Sequence, residues 1–390
     1  KTLARRDGFT SHWSDDSQVE WLESTHIDLV RGHGRLSAER EVTVTAEDGT
    51  TTVLTARQAV CIATGSQALV PPIDGLGDAK PWTSREATSV QRVPASIVML
   101  GGGVVGVEMA TAYRSFGAEV TVVEGGPRLL ANYEPFVGEL VQASFEEKGI
   151  RVLTDQKAVR VERSGGSVTV TTDAGGSVTA AEILVAVGRT PGTADLGLEA
   201  VGLDAGTWLD VDDTLRVRGL DWLYCAGDAN HRALLTHQGK YQARVAGDVI
   251  VARSTGDVDV TPWSKLSADA DHAAVPQVVF ADPEAAAVGL TEHQARDRGL
   301  DVKTAEFDLG SIAGSVLYAD GYRGRAKIVV DAAREVIIGA TFVGPNVGEM
   351  IHAATIAVVG EVPLSRLWHA VPAYPTINEI WLRLLETYGL

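Results

Sequence analysis

The feature that most constrains the fold is a glycine-rich turn between a predicted strand and a predicted helix, within residues 96–126. The apolar run SIVML is followed by Gly101-x-Gly103-x-x-Gly106, which opens the helical stretch VEMATAYRS. Glycines at these positions allow a tight turn, the approach of a pyrophosphate to the backbone, and close helix–strand packing. The helix N-terminus adds free N–H groups and a partial positive charge. The pattern therefore predicts a dinucleotide-binding βαβ unit.

An acidic residue at the end of the next strand indicates which dinucleotide binds. The run VTVVE ends at Glu124, 18 residues past Gly106. A carboxylate at this place accepts hydrogen bonds from two ribose hydroxyls and repels a 2′-phosphate. The sequence therefore favours NADH, while Arg128 nearby leaves NADPH possible.

The net charge and the cysteine content exclude several classes of binding partner and of metal site. The net charge of −17 opposes binding to nucleic acid or to an anionic membrane, because their phosphates would repel the chain. No apolar run approaches the roughly 18 residues of a membrane span. The two cysteines, Cys61 and Cys225, lie in apolar runs, which excludes a disulfide scaffold and a cysteine-based zinc site. We therefore predict no metal and a reducing compartment such as the cytoplasm.

Three short motifs lie at further predicted strand ends. They are ATG at 63–65, GRTP at 188–191 and GD at 227–228, and the last is followed by LLTHQG at a predicted helix start. Each motif alone is typical of an ordinary strand-end turn. Their order around a central dinucleotide fold is far more specific.

Two other segments carry weaker patterns. HIDLVRGHGRL, at 26–36, predicts a short strand. Residues 67–95 contain four prolines, at 71, 72, 81 and 94, and this spacing predicts a linker.

With these motifs the chain resembles the FAD-dependent pyridine nucleotide-disulfide oxidoreductases, which include dihydrolipoamide dehydrogenase, glutathione reductase and mercuric reductase. The similarity runs through the whole chain, and QVVFADPEAAAVGLTEHQA is similar to the start of that family's dimerisation domain. The resemblance implies an α/β fold with two Rossmann-like nucleotide-binding domains and a C-terminal α+β dimerisation domain. The implied boundaries are 1–95 and 216–273 for the FAD domain, 96–215 for the NAD(P)H domain and 274–390 for dimerisation.

The family's first nucleotide motif does not occur in these 390 residues. In the family, a strand–GxGxxG–helix unit holds the FAD pyrophosphate and a Cys-x4-Cys redox pair follows it. A βαβ unit needs about 30 residues, and only 26 precede Ile27. We therefore expect an FAD domain that is incomplete at its N-terminus. If Lys1 is the true start, the alternative is a non-catalytic, NAD-binding dimeric remnant.

The resemblance also implies roles for residues that match family motifs. Asp228 binds the flavin ribityl chain, and Glu108 orients the nicotinamide beside a lysine that this chain does not contain. Arg189 lies close to the nicotinamide cofactor or serves as an ion-pair residue. The remaining matched cofactor positions are His33, Gly34, Thr64, Gly65, Gly188, Gly227, Thr236 and His237. Thr236 and His237 mark a helix start beneath the flavin pyrimidine, and His33 is either a surface histidine or near the FAD adenine.

The C-terminal motif VPAYPTINE departs from the family pattern. Thiol reductases have His-Pro-Thr-x-x-Glu there, whereas this chain has Tyr374 in the histidine position and retains Glu379. A phenol with a pKa near 10 is a poor base at pH 7. Mercuric reductases also have a tyrosine in this region, but they add a C-terminal cysteine pair that the ending LETYGL lacks.

The predicted function is that of a homodimeric flavoprotein reductase. It passes a hydride from NAD(P)H to FAD and on to a small-molecule acceptor, which is a disulfide, a quinone or a similar compound. The catalytic candidates are Tyr374, Glu379 and Glu108. The predicted cofactors are FAD and NAD, with NADP possible. A dihydrolipoamide dehydrogenase-like or mercuric reductase-like enzyme is the alternative.

Overall fold

The computed structural model describes residues 1–256 and 258–390. The chain divides into two compact units. The first unit comprises residues 1–67, 89–92 and 189–269, and the second comprises residues 68–88, 93–188 and 270–390. The family-derived domain boundaries stay predictions.

The secondary-structure elements are numbered along the chain. The helices are α1 Thr2–Phe9, α2 Asp16–Ser24, α3 Ser84–Ser89, α4 Val104–Ser115, α5 Pro135–Glu147, α6 Thr236–Thr255, α7 Ala270–Ala273, α8 Glu292–Asp297, α9 Ala313–Tyr318, α10 Ile351–Val359, α11 Leu364–Leu367 and α12 Ile380–Tyr388. The strands are β1 His33–Ala38, β2 Glu41–Thr45, β3 Thr51–Thr55, β4 Val60–Ile62, β5 Ser66–Ala68, β6 Ser96–Leu100, β7 Glu119–Val123, β8 Arg151–Leu153, β9 Ala158–Ser164, β10 Ser167–Thr172, β11 Ser177–Ala180, β12 Glu182–Val185, β13 Arg189–Pro191, β14 Leu223–Cys225, β15 Gln277–Val279, β16 Ala285–Gly289, β17 Val302–Asp308, β18 Arg325–Asp331 and β19 Val336–Val343.

In the first unit, two parallel strands place the ATG and GD motifs side by side. Strands β4 and β14 pair in parallel, with Val60 opposite Leu223 and Ile62 opposite Cys225. Helix α6 packs its buried side chains into the same apolar core as β14. Because parallel strands end at the same sheet edge, residues 63–65 and 226–228 meet there. The same unit also contains an antiparallel sheet of order β1-β2-β3.

In the second unit, the dinucleotide motif lies in a parallel sheet of order β12-β6-β7-β8. The interior strand β6 is buried from Ile97 to Leu100, as its uninterrupted apolar run requires. Helix α4 buries Val107, Ala110 and Tyr113. The predicted βαβ unit is confirmed.

The C-terminal part of the second unit is an antiparallel sheet of order β15-β16-β19-β18-β17. Its apolar core includes Ile328, Ala340 and Phe342 from the sheet, and Ala354 from α10 and Leu384 from α12. The predicted α/β fold class with a C-terminal α+β part is confirmed by this topology.

Two local predictions need correction. The strand expected within HIDLVRGHGRL begins only at His33, because Gly32 has a φ of 146° that breaks the extended run before it. Residues 67–95 are not a plain linker. Leu76 and Ala79 are buried in the core formed by β9, β10 and the parallel sheet, and Trp82 bridges to Leu184 at the sheet edge. Proline spacing identified the turns but not the apolar residues between them.

Candidate functional site

In the glycine loop after β6, two of the three motif glycines are closely packed and the third is open to solvent. A Cβ at Gly101 would collide with the Ala186 carbonyl oxygen, and one at Gly106 would collide with the Gly101 carbonyl oxygen. Both positions therefore require glycine for packing. Gly103 caps α4, and a Cβ there would have no neighbour within 4 Å. This open backbone at a helix N-terminus fits a pyrophosphate.

Glu124 is held in place by the loops on either side of it. Its Oε2 accepts the Gly102 N–H at 2.5 Å, and its Oε1 accepts the Gly126 N–H at 2.6 Å. Two backbone donors fix the carboxylate in one orientation. Each oxygen keeps further acceptor capacity, which suits the hydroxyls of a ribose.

Arg128, whose position in the sequence left NADPH possible as a cofactor, is hydrogen-bonded to backbone carbonyl oxygens. Its guanidinium donates to the carbonyl oxygens of Leu130 at 3.2 Å, Ala131 at 2.7 Å and Tyr133 at 3.1 Å. These bonds fold the loop after Glu124 around the arginine. A guanidinium engaged in this way is a poor partner for a 2′-phosphate.

Glu108 lies in the first turns of α4, and its carboxylate is half-buried. Its Oε1 accepts the backbone N–H of Phe280 at 2.9 Å. Burial raises the pKa of Glu108, and the hydrogen bond from Phe280 acts in the opposite direction. The sequence pointed to Glu108 but not to Phe280, which is 172 residues away along the chain.

A polar cluster at the edge of β4 and β14 joins two predicted residues to one that was missed. The Ser66 hydroxyl donates to Asp228 Oδ2 at 2.5 Å and accepts the Arg189 Nε–H at 2.5 Å. The Arg189 guanidinium also donates to the Ser66 carbonyl oxygen at 2.7 Å, and its Nε lies 3.8 Å from Asp228 Oδ2. Arg189 is thus an ion-pair residue of this cluster, and its predicted place near the nicotinamide stays a prediction. Ser66 directly follows the ATG motif, which was the available signal.

Two glycines beside Asp228 have positive φ values and open space around them. Gly65 and Gly227 have φ values of 70° and 78°, and a Cβ at either would have no neighbour within 4 Å. A Cβ on Gly239 would lie 3.3 Å from the Gly227 Cα, so α6 approaches this turn closely. Thr64 is exposed at the same edge. An open strand edge next to a fixed carboxylate fits an extended cofactor such as FAD.

The other predicted cofactor residues lie at or next to the ends of helices and strands. Thr236 is the first residue of α6 and His237 the second, as predicted, and both are exposed. Gly188 has a φ of 150° and precedes β13. His33 Nε2 lies 2.9 Å from the Asp195 carbonyl oxygen, beside Gly34 on β1. Their contacts with a cofactor stay predictions.

The C-terminal motif separates the two residues that family thiol reductases pair. The Tyr374 side chain is 78 % exposed. Glu379 forms a reciprocal cap with Thr376, in which Glu379 Oε1 accepts the Thr376 N–H at 3.2 Å. Within the described part of the chain, no hydrogen bond joins the Tyr374 hydroxyl to Glu379. The carboxylate therefore stabilises the local turn.

Comparison with known proteins agrees with this geometry. The family described as pyridine nucleotide-disulphide oxidoreductase matches residues 8–248, and its dimerisation domain matches residues 275–384. A dihydrolipoyl dehydrogenase from Geobacillus stearothermophilus is 32 % identical over 370 residues, which are 94 % of this chain and 75 % of that protein. A mercuric reductase from Staphylococcus aureus is 29 % identical over 380 residues, covering 96 % of this chain and 66 % of that protein.

Solved structures show the same fold. LpdA from Mycobacterium tuberculosis has a TM-score of 0.83 and 27 % identity, covering 98 % of this chain and 82 % of its own. The HOCl-induced flavoprotein disulfide reductase RclA from Escherichia coli has a TM-score of 0.84. It is 23 % identical, covering 98 % of this chain and 85 % of its own, and this level of identity supports the fold alone.

The chain therefore belongs to the pyridine nucleotide-disulphide oxidoreductase family. The predictions of an FAD-dependent NAD(P)H oxidoreductase and of a dimerisation domain are confirmed. None of the helices in the described part of the chain is both long and apolar enough to traverse a lipid bilayer.

Proposed function

We propose that this protein is an NADH-preferring, homodimeric flavoprotein reductase. The observation that carries the NADH preference is the fixed carboxylate of Glu124, which is held by the N–H groups of Gly102 and Gly126. A fixed negative charge at the end of the second strand favours a ribose diol and repels a 2′-phosphate. The engagement of Arg128 with three backbone carbonyls supports the same preference.

The chain's own residues bind and orient the reactants. FAD, when bound, would supply the redox centre between NAD(P)H and the electron acceptor. Asp228, oriented by Ser66 and Arg189, would bind a hydroxyl of the ribityl chain. Glu108 would orient the nicotinamide carboxamide. The N-terminus of α6, at Thr236 and His237, would favour negative charge at the end of the cofactor that it faces.

For the electron acceptor, we propose a compound whose reduction needs no thiol base, such as a quinone. Tyr374 is exposed, and the Glu379 carboxylate caps Thr376. This region therefore offers a phenol that can donate a hydrogen bond, and it lacks an oriented imidazole that could take a proton near pH 7. In a homodimer, Tyr374 and Glu379 would serve the active site of the neighbouring subunit. The two unpaired cysteines, Cys61 and Cys225, are in keeping with a cytoplasmic location.

The NADH preference is tested by steady-state kinetics with both cofactors. We expect kcat/KM to be higher with NADH than with NADPH. We expect Glu124→Gln to reduce the ratio of kcat/KM with NADH to kcat/KM with NADPH by about tenfold, which corresponds to about 1.4 kcal/mol. Glu119→Gln is the matched control, because Glu119 is an exposed acid at the opposite end of the same strand. A wild-type kcat/KM about tenfold higher with NADPH would contradict the proposal.

A further inference from the structure

Tyr133 has no role in the sequence patterns described above, yet it is buried close to Glu108. It lies at the end of the loop that Arg128 organises, and its side chain is 8 % exposed. Its hydroxyl donates to Gln277 Oε1 at 2.8 Å. Gln277 is the first residue of β15, and Phe280, which donates its N–H to Glu108, directly follows that strand.

The segment 277–280 is therefore held at both ends by the dinucleotide-binding part of the chain. Tyr133 fixes its beginning and Glu108 fixes its end. Strand β15 is only three residues long and lies at the edge of its sheet, where it pairs with β16 alone. An edge strand this short has few backbone hydrogen bonds of its own, so a side-chain bond to its first residue restrains it substantially.

We propose that Tyr133 is a positioning residue for Glu108, acting through Gln277 and the backbone N–H of Phe280. With Oε1 held by that N–H, the second oxygen of Glu108 stays in one orientation and is available to the nicotinamide carboxamide. The inference rests on the proposed role of Glu108. Tyr133 itself need not touch the cofactor.

The protonation states suit this role. Burial, together with the charge of Glu108, raises the pKa of Tyr133 to about 12, so the phenol stays a neutral donor across the working pH range. Helix α4 packs against β6, β7 and β15. Strands β6 and β15 have no ionisable side chain, and β7 has Glu119 at the end away from the glycine loop. If the Phe280 N–H moved away, the pKa of Glu108 would rise further, because burial would act unopposed.

The test compares Tyr133→Phe with Tyr322→Phe in the flavin-loaded protein. Tyr322 is the matched control, because it is 7 % exposed and its hydroxyl donates to the Pro345 carbonyl oxygen at 2.8 Å. Hydrogen exchange followed by mass spectrometry reports the protection of the peptide that contains Phe280. Stopped-flow reduction of the flavin by NADH, measured from about pH 5 to 9, reports the state of Glu108.

We expect Tyr133→Phe to speed exchange at Phe280 by about tenfold, to slow flavin reduction several-fold, and to move the acid limb of its pH profile upward. Tyr322→Phe should leave all three unchanged. We also expect the double variant Tyr133→Phe with Glu108→Gln to be no slower than Glu108→Gln alone, because residues that act through one contact are not additive.

The outcomes separate the two proposals. If Glu108→Gln reduces the flavin at the wild-type rate, the proposed role of Glu108 is wrong. If Glu108→Gln is slow but Tyr133→Phe leaves exchange at Phe280 and the pH profile unchanged, the role of Glu108 stands and the positioning role of Tyr133 is overturned. Additive losses in the double variant would also overturn it.

Discussion

At the scale of single residues, Ser66 shows how much one hydroxyl can organise. The Ser66 hydroxyl donates a hydrogen bond to the Asp228 carboxylate and accepts one from the Arg189 guanidinium, so it links the two charged groups. These contacts engage Oδ2, and in the proposed function Oδ1 would bind the cofactor. Hydrogen bonds to charged groups contribute about 1.5–3 kcal/mol each.

We therefore expect Ser66→Ala to weaken flavin binding by about tenfold or more. The measurement is a fluorescence titration of the deflavinated protein with FAD. Ser37→Ala is a suitable control, since the Ser37 hydroxyl donates to the Glu41 carboxylate at 2.7 Å on an exposed strand of the same unit. Equal dissociation constants for wild type and Ser66→Ala would show that Asp228 needs no such support.

Tyr374 is the second residue whose chemistry can be measured directly. General acid–base assistance is worth about 10²–10⁴-fold, so a chain with a phenol in place of an imidazole should reduce lipoamide or glutathione disulfide poorly and quinones well. Tyr374→His should raise disulfide reduction strongly, and Tyr374→Phe should leave quinone reduction within a few-fold of wild type. Wild-type turnover of lipoamide at the rate of an efficient family member would contradict this expectation.

At the scale of elements, helix α5 is joined to the C-terminal sheet by a buried ion network. Lys327 Nζ on β18 lies 2.9 Å from Glu134 Oε2, just before α5, and 2.7 Å from Glu292 Oε2 at the start of α8. Glu134 Oε1 accepts the Glu292 N–H at 2.7 Å. The side chains of Lys327 and Glu134 are only 6 % and 3 % exposed, so each charge depends on the other.

Replacing Lys327 by Met should therefore destabilise the protein by about 3–5 kcal/mol, because it leaves the Glu134 carboxylate buried without an opposite charge. Urea denaturation of the flavin-loaded protein measures this loss. Lys303→Met, on the neighbouring strand β17, is the control. Lys303 is exposed, so its removal should cost less than about 1 kcal/mol. Similar losses for the two variants would show that the buried network contributes nothing specific.

At the scale of the whole molecule, we expect the exposed apolar side chains of α9 to lie in the contact between two copies of the chain. Val316, Leu317 and Tyr318 on α9 are 60 %, 73 % and 54 % exposed. Leu317→Glu should shift the flavin-loaded protein from dimer to monomer in light scattering, because it places a charge in a desolvated contact. Val251→Glu on α6, where Val251 is 62 % exposed, should not. A dimeric Leu317→Glu would place the interface elsewhere.

Sequence patterns predicted what is local and missed what tertiary packing brings together. The glycines at 101, 103 and 106 and the acid at 124 lie within 24 residues, so one window contains the whole motif. The partners of Glu108 and Glu134 come instead from the C-terminal part of the second unit, more than 150 residues away. Nothing in the neighbourhood of Phe280 or Lys327 along the chain marks them as partners, because their role depends on which strands pack together.

The loop before α4 also contains a position that the nucleotide motif leaves undefined. Gly102 occupies a variable place in that motif, but a Cβ there would lie 2.5 Å from Leu129 Cδ2, and Leu129 is fully buried. We therefore expect the two positions to covary: among relatives, a larger residue at 102 should co-occur with a smaller one at 129. An alignment in which alanine at 102 and leucine at 129 occur together as often as chance allows would show that the loop backbone shifts instead. For protein engineers, the pair has to be varied as one unit.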